Sequence, residues 1–104
     1  MAPAKKKTSS PRRNQYARGV RAEYRSRDLL EALGYDVTRA AGSHGPWDLV
    51  AVSNSDLILC QVKLNKPPSK LEREKMQLAK APYNARKLVH VWKPRASKPL
   101  VYEV

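Results

Sequence analysis

An α/β fold, with helices around a mixed β-sheet in the order α-β-β-β-α-β-β, is what this chain predicts. Three observations carry that expectation. Residues 15–33 lack proline, have apolar residues at helical spacing, and run into Gly34, a natural helix stop. Two apolar runs of strand length, residues 47–52 and Leu57–Leu64, are joined by "SNSD", which has turn chemistry. A second, polar helical stretch then precedes two further short strand-like runs, "KLVHVWK" and "LVYEV".

Residues 1–14, "MAPAKKKTSSPRRN", offer little to bury and are expected as a disordered basic arm ahead of one domain over residues 15–104. No apolar segment follows the arm's basic residues, so it does not read as a secretory signal. Within the first helix Ala22, Leu29, Leu30 and Leu33 cluster on one side. Basic residues are dense from Arg12 to Arg27, and Glu23 is the sole acid among them. A lone acid there can simply pair with neighbouring arginines. "YDVTRA" suits a first strand and "AGSHGP" a loop of small residues. After the loop "NKPPSK", Ser69 can cap a helix that begins near Lys70 and ends before Pro82.

The charge narrows the partner. With 21 Lys and Arg against 9 Asp and Glu, the formal charge is +12, which points to a polyanion and first to nucleic acid. A membrane partner is not expected, because neither a long amphipathic helix nor a run near the ~20 apolar residues of a span is present. Cys60 is the one cysteine, so no intrachain disulfide forms; a small buried hydrophobe in a reducing, cytoplasmic setting fits it. His44 and His90 are too far apart for zinc-site spacing, and no phosphate-binding G-x-x-x-x-G-K-[ST] or serine-nucleophile motif occurs, so no nucleotide cofactor is expected. A domain of about 90 residues buries only about two-thirds of its unfolded surface. Its core is thin, and an oligomer interface would supplement it.

The two central strands hold polar residues that such a core can ill spare. Side chains alternate along a strand, so Leu59, Gln61 and Lys63 share a face. A two-residue turn at Asn54-Ser55 would set Asp48 across from Gln61, and a three-residue turn would set it across from Val62. Either register brings Asp48, Gln61 and Lys63 to one end of the hairpin. Hard divalent cations take oxygen ligands, which Asp48 and the Gln61 amide can supply. Lys63 beside them can neutralise phosphate charge, or orient and help deprotonate a water. The alternative is structural, with Asp48 and Lys63 as strand-end residues reaching water and Gln61 hydrogen-bonded inside.

In these residues the chain resembles the PD-(D/E)xK nuclease superfamily and, within it, the archaeal-type Holliday junction resolvases. "GVRAE" is similar to the family's glycine-then-glutamate in the first helix, ending at Glu23. "LLEALGYDVTRAAGS" resembles its helix-end glycine, aromatic residue, strand, arginine and loop serine, here Gly34, Tyr35, Arg39 and Ser43. "WDLVAV" and "ILCQVK" resemble the aspartate and (D/E)xK strands. Two departures stand out: Trp47 replaces the motif's proline, with Pro46 one position earlier, and Gln61 replaces the acid, as in some superfamily branches.

The resemblance implies a restriction-endonuclease-like core and a homodimeric, Mg²⁺-dependent endonuclease cutting four-way DNA junctions, with Mn²⁺ a possible substitute. It implies Asp48, Gln61, the Val62 carbonyl and Glu23 around the metal, and Lys63 as the catalytic lysine. Arg39 and Ser43 would lie near DNA. Arg12, Arg13, Arg18, Arg21, Arg25 and Lys66 are the further expected DNA contacts, with His44 and Gln77 as outlying candidates. The alternatives are a DNA-binding module whose metal site Gln61 has weakened, or a related nuclease acting on other DNA structures. The C-terminal strands are expected as sheet core, or else as part of a dimer interface.

Overall fold

The structure, a computed structural model, describes residues 11–40 and 45–104, with side chains from residue 16 onward. Helix α1 (Pro11–Ala32) leads into strands β1 (Asp36–Arg39), β2 (Leu49–Val52) and β3 (Leu57–Leu64). Helix α2 (Lys70–Leu78) then precedes β4 (Ala85–Trp92) and β5 (Leu100–Glu103). The expected element order is the observed one. The strands form one sheet in sequence order, antiparallel throughout except for the parallel β3–β4 pair that α2 bridges, so the sheet is mixed.

Helix α1 is described from Pro11, four residues ahead of the predicted Gln15, and so takes in part of the expected arm, whose residues 1–10 lie outside the described residues. Proline suits a first helical turn because its missing N–H would have no partner there and its φ is already helical. At the other end Gly34 sits at φ +100°, and the Tyr35 N–H reaches back to the Leu30 carbonyl at 3.2 Å. That closes the helix and turns the chain into β1.

The sheet is covered on both faces. On one, Leu30 of α1 packs on Leu49, Ala51, Ile58, Cys60 and Leu88. On the other, Met76 of α2 packs on Val89 and Val91, with Trp47, Tyr102 and Val104 around them. The stripe that α1 buries is Ala22, Ser26 and Leu30, spaced by four, and not the predicted set that included Leu33. Leu33 lies past the last helical residue, where the closing turn carries it to 67% exposure.

Ser26 is fully buried because its hydroxyl serves two partners across the core. It accepts from Trp92 Nε1 at 2.8 Å and bonds His90 Nδ1 at 2.9 Å. Cys60 is buried as expected, and loss of water pushes its thiol up to about 12. The C-terminal strands divide: β4 is core, whereas β5 is the sheet edge and exposes Leu100 and Val101. No helix among the described residues is long and apolar enough to cross a membrane.

Candidate functional site

The β2–β3 hairpin closes through the two-residue turn. Ser53 N–H donates to the Asp56 carbonyl at 2.9 Å, and the ladder runs from Val52↔Leu57 to Leu49↔Cys60. One position further the register breaks. Asp48 N–H also donates to the Cys60 carbonyl, at 2.9 Å, so Asp48 and Leu49 both oppose Cys60. This is a β-bulge, and it corrects the expectation that Asp48 stands directly across from Gln61. Bulges re-aim side chains at strand ends. Here Asp48 Oδ2 is carried over the strand edge to accept from the Val62 N–H at 2.8 Å. A strand residue presents its N–H and carbonyl to the same side, so the Val62 carbonyl faces this edge as well.

Gln61 is oriented by its amide nitrogen, which donates to the Pro46 carbonyl at 3.1 Å. Its other atom, Oε1, is buried with no protein partner. Lys63, two residues along, places Nζ 3.0 and 3.1 Å from the two carboxylate oxygens of Glu72 on α2. Glu72 Oε1 also accepts from the Ser69 N–H at 2.8 Å, while Ser69 Oγ accepts from the Glu72 N–H, so the helix cap and the lysine share one carboxylate. Gly45, Pro46, Gln61, Glu72 and Lys75 line a cavity of about 400 Å³ here.

The carboxylates differ in electrostatic state. Burial raises the Asp48 pKa above its ordinary value, and the nearby Glu23 charge adds to this; the Val62 N–H, Arg39 and Lys63 oppose it. Glu72 is lowered, first by the Ser69 N–H and then by Lys63. Glu23 pairs with Arg39 at 2.7 Å, both partly buried, with the Tyr24 ring 5.2 Å from the guanidinium. The Asp48 carboxylate and Gln61 Oε1 belong to the same end of the β2–β3 hairpin, and oxygens of both kinds suit a hard divalent cation. Among the described residues no three Asp, Glu, His or Cys side chains converge to hold a metal. The fit therefore rests on Asp48 with the Gln61 and Val62 oxygens, and Glu23 contributes charge from beside Arg39.

The other expected residues fall into three groups. Arg18, Arg21 and Arg25 are exposed along one side of α1 and line a cleft of about 400 Å³ with Leu64, Asn65, Trp92, Lys93, Pro94 and Arg95. Lys66 is exposed at its margin, beside Arg18. Gln77 is exposed on α2, about 140° around the helix from Glu72, which turns it from the Gln61 cavity. Ser43 and His44 lie outside the described residues, as do the side chains of Arg12 and Arg13.

Glu72, Lys93 and Arg95 were not among the expected site residues. Glu72 reads in the sequence as a capping-box acid, and the "SxxE" pattern hides its second task. Lys93 and Arg95 sit in "KPRASKP", whose density of basic residues was the available signal. Arg25 joins that loop to α1: its guanidinium lies 4.1 Å from the Trp92 ring centroid and donates to the Ala96 carbonyl at 2.7 Å.

No family model matches the chain, and no curated protein matches it by sequence. Among solved structures it is similar to the 1.6 Å structure of Archaeoglobus fulgidus Hjc, a Holliday junction resolvase from an archaeal hyperthermophile. The two superpose with a TM-score of 0.67 at 26% identity, over 83% of this chain and 72% of that one. The likeness of the motifs is thus matched by a likeness of the whole architecture, and the chain has the fold of the archaeal-type Holliday junction resolvases of the PD-(D/E)xK nuclease superfamily.

Proposed function

We propose that this protein is a Mg²⁺-dependent, structure-specific endonuclease that hydrolyses phosphodiester bonds in four-way DNA junctions, acting as a homodimer. The observation that carries the reading is the buried Gln61 Oε1 without a partner, on the residue that precedes Val62, whose N–H holds the desolvated Asp48 carboxylate. The large majority of buried side-chain polar atoms have a partner, and an orphaned amide oxygen at this end of the hairpin is an acceptor that a cation fits. Likeness to a Holliday junction resolvase supports the choice of substrate.

Asp48, Gln61 and the Val62 carbonyl would hold the metal. When bound, it supplies Lewis acidity: it neutralises phosphate charge and makes a water easier to deprotonate. The protein's groups do the rest. The Val62 N–H fixes the Asp48 carboxylate, and the Pro46 carbonyl fixes the Gln61 amide. The Lys63 ammonium offsets the charge that builds on the phosphoryl oxygens as water adds to phosphorus and the ester oxygen leaves. The arginine cleft beside α1 carries the flanking backbone. A two-fold dimer presents one such site to each of two symmetry-related strands, which suits paired cuts across a junction.

The test is cleavage of a labelled four-way junction and its matched linear duplex, with Mg²⁺ or Mn²⁺ and with chelator. Paired nicks confined to the junction and lost with chelator are expected. Junction binding without a cut, even at high Mn²⁺, would identify a non-catalytic binder instead.

The cleft makes a separate prediction. Lys93→Gln with Arg95→Asn, the asparagine chosen because Arg95 sits at φ +63°, removes two exposed cations from it. Each lost phosphate contact lowers the slope of log affinity against log salt by about 0.9. Junction affinity should drop and its salt slope shrink by about 2 in a filter-binding titration. The rate at saturating DNA should hold, and an unchanged slope would remove the loop from the DNA path.

A further inference from the structure

The acid missing from strand β3 has a replacement in space. Position 61 holds an amide, which offers an oxygen but no charge, so Asp48 is the one carboxylate on the strands of this site. Glu72 reaches the same place from another element. Glu72 lines the cavity with Gln61, and its carboxylate bonds Lys63 Nζ through both oxygens. Helix capping does not account for that second contact, because Glu72 Oε2 takes no part in the cap bond and still meets the lysine.

We propose that Glu72 is the displaced acid of this site: from α2 it holds the Lys63 ammonium in place and cancels its charge, which the Gln61 amide cannot do. This rests on the metal-dependent reading above and extends it to a residue outside the strands. Chemically the move is conservative. An ammonium left alone beside Gln61 would repel a divalent cation, whereas one paired with a carboxylate adds no net charge to the approach. The pairing also fixes a side chain that would otherwise sample many rotamers. Glu72 is therefore a positioning residue, acting through Lys63 and through its field. Its position is held by Ser69 at the helix cap and by Met76, one turn on, which buries α2 against β4.

The test uses the full chain and Mn²⁺ as the probe, with two readouts: Mn²⁺ affinity of the DNA-free protein by electron paramagnetic resonance, and paired nicking of a four-way junction. Glu72→Gln keeps a carbonyl oxygen for the Ser69 N–H and removes only the charge. With that charge gone the Lys63 ammonium faces the cation unpaired, so Glu72→Gln should weaken Mn²⁺ binding by about tenfold or more and slow nicking with it. Gln61→Glu restores an acid to the strand. In the double variant Gln61→Glu, Glu72→Gln the Mn²⁺ affinity should recover to within a few-fold of wild type, which a purely structural role for Glu72 would not produce. Asp48→Asn is the reference. If it weakens Mn²⁺ binding and Glu72→Gln does not, Glu72 is only a helix cap and this inference falls alone. If neither variant alters Mn²⁺ binding, the metal site itself is wrong and the inference goes with it.

Discussion

Asp48→Asn should abolish junction cleavage, by about a thousandfold or more, while leaving the metal-free protein no less stable than wild type. The two halves come from one piece of geometry. The Asp48 carboxylate is desolvated by burial and repelled by Glu23, and its pKa is raised as a result. A raised carboxylate pKa means that the ionised form is under-compensated in the fold. Asparagine removes that charge and keeps an oxygen for the Val62 N–H. Alanine would orphan that N–H and confuse the measurement.

The charge that burdens the fold is the one a cation would require. Metal stabilisation of a phosphoryl transition state is worth several kcal/mol, and about 1.4 kcal/mol is a factor of ten. Nicking rates at saturating Mg²⁺ check the first half, and urea unfolding in chelator checks the second. A variant that cuts at the wild-type rate would take Asp48 out of the site. A metal-free variant clearly less stable than wild type would show that the carboxylate is a structural group.

The fold was largely legible because its signals are local. "SNSD" between two apolar runs set the hairpin turn, and period-2 alternation put Gln61 and Lys63 on one face before any coordinate was known. The site was legible only in outline, because its refinements depend on distant partners. The bulge at Asp48 lies where the chain enters β2 after Pro46 and Trp47, and nothing in "PWDLV" requires it. Glu72 is nine residues from Lys63 in sequence, and only the placement of α2 across the sheet makes them neighbours. Ser26 is the sharpest case. A serine in an arginine-rich helix reads as surface, yet partners 64 and 66 residues away make it core. Leu33 is the converse, an apolar residue in the right periodic position that the helix end leaves outside. Periodicity locates an element's buried stripe only as far as the element extends, and it has no view of polar groups that satisfy one another across the core.

That same buried trio governs the second large effect, a loss of stability on mild acidification. Trp92 Nε1 can only donate, so it occupies a lone pair of Ser26 Oγ. The serine proton is then free for His90 Nδ1, and the tautomer that satisfies both groups is neutral with its proton on Nε2. His90 is 2% exposed, and burial holds its pKa down at about 4, against 6.5 for the free side chain. Between those values the unfolded chain binds a proton that the folded chain refuses. Stability therefore falls as pH is lowered from about 6.5 to about 4 and is retained above that window.

At about 1.4 kcal/mol for each pKa unit the loss amounts to roughly 3 kcal/mol, a large part of a small domain's total. The neighbouring carboxylates do not mimic it. Asp56 and Glu72 are lowered, so their contributions fade only below the ordinary carboxylate range. Asp48 is raised, and its protonation acts in the opposite sense. Urea unfolding at pH 7 and at pH 4.5 should show most of this drop for wild type. In His90→Asn, whose side-chain oxygen can take the Ser26 proton and which does not titrate, the stability at pH 7 should be lower but nearly flat over the same interval. Equal slopes in the two proteins would mean that His90 takes up its proton without unfolding, and that the core around Ser26 opens to water more readily than its packing implies.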